Sequence, residues 1–119
     1  MSIERLPGAS GASYSKAVAV SGPGKTVYVS GMIARGATLA EQTNGCFDMI
    51  EAALREAGGS LANVVRITAF LTKLDEYAEY ARVRGERFGK HLPASAAVQV
   101  AGLLQGGLIE IDAVAFIPD

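Results

Sequence analysis

What this chain has little of narrows its chemistry first. It holds one cysteine, Cys46, so an internal disulfide is excluded. It also holds a single histidine, His91. One cysteine and one histidine are too few for a conventional zinc centre, which takes about four ligands, so no metal site is expected. No apolar run approaches the roughly 18 residues that cross a bilayer. The start, Met1 to Leu6, lacks the basic end and apolar block of a signal peptide. An excess of charge of one sign is missing too: 11 Lys and Arg face 12 Asp and Glu, a net charge of −1. That balance predicts no electrostatic footprint for nucleic acid or an anionic membrane. A cytoplasmic protein without a cofactor is the expectation.

What is present fits one domain over 1–119, able to bury roughly two-thirds of its unfolded surface. Ser15 to Val20 and Thr26 to Gly31 read as strands. The turn chemistry of Ser21-Gly22-Pro23-Gly24-Lys25 between them predicts a hairpin. Thr38 and Glu41 match a capping box, so a helix is expected from Leu39 to Ala57, stopping at Gly58-Gly59. Cys46 falls on its apolar side and reads as a core thiol. Asn63 to Leu71 reads as a strand that is largely apolar on both sides. A second helix is expected from Glu76 to about Lys90, with Asp75 as a candidate N-cap. Its arginines, Arg82, Arg84 and Arg87, read as a solvated face beside Glu79 and Glu86. Two strands follow, one after Pro93 and one from Ile109. The order β-β-α-β-α-β-β describes an α+β fold, a mixed sheet with two helices on one face. Its other face keeps apolar residues, Val64 and Phe70 or their opposites on the same strand, which predicts a homo-oligomer.

The last two strands carry the sharpest chemical signal. Glu110 and Asp112 fall on one side of Ile109 to Ala115, because strand side chains alternate. An acid in an apolar strand must be paired, hydrogen-bonded or used. Set beside it, the strand after Pro93 offers Ser95, Ala97 and Gln99 on one side, and no cation.

The chain resembles the RidA family, also called YjgF or reactive-intermediate deaminases, over nearly its whole length. The segments that carry the likeness are Tyr14-Ser15-Lys16-Ala17-Val18, Val27-Tyr28-Val29-Ser30-Gly31, Glu41-Gln42-Thr43, Ala57 to Val65, Pro93-Ala94-Ser95 and Ile109 to Ala115. The resemblance implies a chorismate-mutase-like fold and a homotrimer with small-molecule clefts between subunits. It also implies hydrolysis of enamines and imines, such as 2-aminoacrylate and its imine tautomer, to a keto acid and ammonia. In such proteins an arginine two residues after the proline clamps the substrate carboxylate.

Carried over residue by residue, Ser95 takes the place of that arginine, Glu110 is the acid of the last strand, and Tyr14 is the aromatic residue of the first motif. Ser30 and Gly31 match the small pair on the second strand, and Ala97 stands where many members carry cysteine. Glu110 and Tyr14 are the candidate catalytic residues. Ser95, Ser30, Gly31, Ala97 and Arg35 are candidates for substrate binding, Arg35 as a cation that could reach the cleft or stay solvated. A serine offers one uncharged donor where arginine offers a charged, bidentate fork. The resemblance therefore leaves two readings: an imine or enamine deaminase with a non-standard substrate, or a non-catalytic member that binds a metabolite or a protein. Endoribonuclease activity, also attached to this family, gains no support from the near-neutral charge.

Overall fold

The computed structural model describes residues 2–119. Its main elements are β1 (Ile3–Pro7), β2 (Ser15–Val20), β3 (Gly24–Met32), α1 (Leu39–Glu56), β4 (Val64–Leu71), α2 (Tyr77–Phe88), β5 (Ala94–Gln99) and β6 (Ile109–Pro118). The six strands form one mixed sheet in the order β1-β2-β5-β4-β6-β3. β5 runs parallel to both neighbours, β2 and β4, and the remaining pairs are antiparallel. No helix is long and apolar enough to cross a membrane.

The caps behave as their residue types dictate. Thr38 accepts the Glu41 amide at 3.2 Å and starts α1. Past its end Gly58 adopts φ +93°, and the Gly59 amide reaches back to the Leu54 carbonyl at 2.8 Å. Asp75 does not cap α2. It lies within a 3-10 turn, Leu74–Glu76, that leads directly into the helix.

One face of the sheet is closed by the helices. Val64, Ile67, Ala69 and Leu71 of β4 and Ile109, Ile111, Ala113 and Ala115 of β6 are buried there. They share a core with Cys46, Phe47, Ile50 and Leu54 of α1 and with Tyr80, Val83 and Phe88 of α2. Phe47 and Phe88 lock the two helices edge-to-face at 5.1 Å. A register shift between Val64 and Arg66 turns Val64 into this core, so Val64 and Phe70 do not share a face. The open face carries Tyr28, 80% exposed, with Phe70, Val98 and Val114.

Three further expectations change. β1 was not anticipated: it is short, an edge strand and ends in a proline, so it carries little strand signal. β2 and β3 do not form a hairpin. β2 takes β1 as its antiparallel partner, while β3 crosses to the far edge and pairs with β6. Gly22, at φ +81°, does turn the chain, but it joins separate parts of the sheet. Finally, β5 and β6 are not neighbours, because β4 lies between them.

Candidate functional site

Glu110 stands opposite Phe70 of β4, on the open face. Across from it, the β3–β6 ladder is irregular: Val29 pairs with Ala113 and Met32 with Ile111. Two residues, Ser30 and Gly31, therefore oppose one, Asp112. Such a bulge leaves main-chain groups out of the ladder and bends the strand. The Glu110 side chain lies against Gly31. A β-carbon at Gly31 would sit 2.9 Å from the Glu110 carboxyl carbon and closer still to its Oε2. Only glycine lets the carboxylate rest on this piece of backbone. Ser30 and Gly31 are exposed, and Glu110 is half-buried.

Ser95 belongs to a second cluster. It pairs with the buried Ile67 of β4, so it faces the helices, on the opposite side of the sheet from Glu110. Arg84 of α2 donates to Ser95 Oγ from Nη1 at 3.1 Å. Its Nε and Nη2 donate to Ser13 Oγ at 3.1 and 2.8 Å, and Nη2 also reaches the Tyr77 hydroxyl at 3.2 Å. The rings of Tyr14, Tyr77 and Tyr80 surround the guanidinium, with centroids 5.4, 5.7 and 5.1 Å away. Burial pushes the Tyr80 hydroxyl up from its ordinary pKa, against the pull of Ser95 and Arg84.

Arg84 is the residue that sequence reasoning misplaced. It is 2% exposed and not solvated. Arg87 is also drawn in: its side chain, 20% exposed, pairs with Asp48 of α1 at 2.9 Å. Of the three arginines only Arg82 lies on an outer face, bridging Glu79 at 2.6 Å and Glu86 at 2.8 Å.

The remaining candidates are scattered. Ala97 pairs with Ala69 and packs against the core. Arg35 is exposed and lines a separate cavity of about 560 Å³, beside Gln42, Gln105 and Gly107. Tyr14 joins the Arg84 cluster and also walls a cavity of about 340 Å³ beneath the Gly8–Ala12 loop. Cys46 is fully buried and its thiol donates to the Met32 carbonyl at 3.1 Å; burial pushes its pKa up to about 11, so it is no nucleophile. The structure thus joins Tyr14 with Ser95, and Glu110 with Ser30 and Gly31, but not the two groups with each other.

The family profile described as Endoribonuclease L-PSP matches residues 4–117. A crystal structure of a member of the YjgF/YER057c/UK114 family from Mycobacterium tuberculosis is similar, with a TM-score of 0.77 and 34% identity over 98% of this chain and 100% of that one. The chain belongs to the RidA/YjgF family. Its curated relatives in that family include a RutC family protein of Pyrococcus abyssi, 37% identical over 87% of this chain and 85% of the relative. They also include the 2-iminobutanoate/2-iminopropanoate deaminase of Rattus norvegicus, 34% identical over 97% of this chain and 87% of the relative. RidA/YjgF membership agrees with the α+β fold expected from the sequence.

Proposed function

We propose that this chain hydrolyses a small imine or enamine, in clefts between the subunits of a homotrimer. The observation that carries the reading is the Glu110 carboxylate resting on Gly31 at the bulge in β3. Hydrolysis of a C=N bond adds water at carbon, moves a proton to nitrogen and expels ammonia. A single carboxylate can take the proton from water and hand it to nitrogen, provided it reaches both. Main-chain groups freed by the bulge can hold the substrate beside it. The similarity to the 2-iminobutanoate/2-iminopropanoate deaminase of Rattus norvegicus supports the substrate class.

The same geometry supports an assembly of several copies. Glu110 lies on the open face, while Ser95 and Tyr14 lie toward the helices. One small molecule meets both sets only where two copies adjoin. The apolar open face, with Tyr28, Phe70, Val98 and Val114, supports that contact.

The test is the rate of loss of 2-iminopropanoate generated in solution, with and without the purified protein. Acceleration is expected, and Glu110→Gln should reduce it by roughly 10²–10⁴-fold, the usual weight of a general acid–base group. No acceleration by the unmodified protein at micromolar concentration would sink the hydrolytic reading.

A further inference from the structure

The chain handles its buried and half-buried arginines in distinct ways. Arg5 spends its donors on main chain: the carbonyls of Ala62, Leu92 and Val64, at 2.7, 2.9 and 3.0 Å. Arg87 is neutralised by Asp48 and lies 3.8 Å from Glu51. Arg84 is the most deeply buried of the three, yet it makes no ion pair among the described residues. Every hydrogen-bond partner it has is a hydroxyl. A buried cation held only by neutral groups keeps its full charge without an anion to answer it, which is costly.

The hydroxyls themselves say where an anion goes. Ser13 is spent: it accepts twice from Arg84 and gives its own proton to the Ala81 carbonyl at 3.0 Å. Tyr77 accepts from Arg84, and its proton has no acceptor among the described residues. Ser95 also accepts from Arg84, and its one other contact is the Tyr80 hydroxyl, long at 3.4 Å. Tyr77 and Ser95, like Ser13 and Tyr14, are half-buried, whereas Arg84 and Tyr80 are buried, so the two hydroxyls lie on the outer side of the cation. An O–H whose oxygen already accepts from a guanidinium is a polarised, stronger donor. Two such donors, with the positive charge directly behind them, make a receptor for a carboxylate.

We infer that Arg84 with Tyr77 and Ser95 forms a carboxylate-binding site, in which the cation comes from α2 and acts largely through the two hydroxyls. This deepens the imine-hydrolase reading and rests on it for the identity of the ligand: a short 2-imino or 2-oxo acid. It also removes the need for a non-standard substrate, because the charge absent from position 95 is supplied from position 84.

The probe is 2-oxobutanoate, titrated into the intact protein by calorimetry, with 2-oxobutanamide as the uncharged control. Saturable binding of the acid and not the amide is expected. Arg84→Gln should weaken it roughly 10–100-fold, the weight of a charged hydrogen bond. Should that variant not fold, Tyr77→Phe and Arg84→Lys carry the test, each with a smaller loss of affinity. Unchanged affinity in Tyr77→Phe and Arg84→Lys, equal binding of the amide, or no saturable binding at millimolar acid would overturn the assignment. Arg84-dependent binding without hydrolysis of 2-iminopropanoate leaves this site standing and removes the hydrolytic reading. Hydrolysis that persists in Arg84→Gln with unchanged KM removes this site alone.

Discussion

Arg84 Nη1 lies 3.1 Å from Ser95 Oγ, so position 95 is already in contact with a guanidinium. A second guanidinium at the half-buried position 95 would lie against the like charge of the buried Arg84. Ser95→Arg is therefore expected to destabilise the fold by about 3 kcal/mol, the scale of an unanswered buried charge. Adding Arg84→Gln to the same chain should recover most of that loss. Urea denaturation of the two single variants and the double variant measures the coupling, and strict additivity would refute it.

Gly31→Ala places a methyl group where the Glu110 carboxyl now rests. The carboxylate is the movable partner, so the expected result is a displaced acid and a fall in imine hydrolysis of at least about tenfold. Stability should change by no more than about 1 kcal/mol, because a flexible side chain can yield. Assay and melting curves together separate this from general unfolding; equal activity in the variant counts against a role for this contact.

Cys46 has a folded-state pKa of about 11, raised by burial. The unfolded thiol ionises first, near the ordinary thiol value of 9.0. Between these limits the unfolded state binds fewer protons, so stability falls as pH rises through that window. The loss attributable to this group is on the order of 2–3 kcal/mol. A Cys46→Ala chain, compared at pH 8 and pH 11, should show a smaller decline than the unmodified protein. A thiol reagent at pH 8 should label Cys46 only after denaturant is added.

Tyr28 is 80% exposed on the open face. If that face is the subunit contact, sedimentation should give about three times the chain mass of 12.3 kDa. Tyr28→Asp should then shift the protein to a monomer with its secondary structure intact. A micromolar monomer in the unmodified protein excludes the trimer.

Much of the fold was legible from short-range chemistry. Thr38, Gly58 and the apolar stripe of α1 set that helix within a residue or two, because caps act locally. Strand partners were not legible in the same way. The Ser21–Lys25 turn looks the same whether it closes a hairpin or carries the chain across the sheet, and only β6 decides where β3 goes. Glu110 and Gly31 were readable one by one as candidates, but their contact depends on a bulge that no local pattern announces. The Arg84 cluster was different, since its signal was present and outweighed by charge. Arg84 falls four residues after Tyr80 and four before Phe88, both buried, which sets it on the inward stripe of α2. Its arginine identity suggested solvent, and its spacing pointed inward.

The β1–β2 hairpin joins the main sheet through one residue pair, Ser15 with Ala94. Arg5 and the Ser15 hydroxyl reinforce that seam, and both end on the Leu92 carbonyl. So narrow a seam makes residues 2–20 a separate cooperative unit, whose amides exchange with solvent sooner than those of β4 and β6. Ser13 and Tyr14 belong to this unit, while Ser95, Tyr77 and Arg84 belong to the body it rests on. A ligand that draws the cluster together therefore stitches the hairpin down. Its binding is readable as slower exchange along Lys16–Val20, in backbone the ligand does not touch.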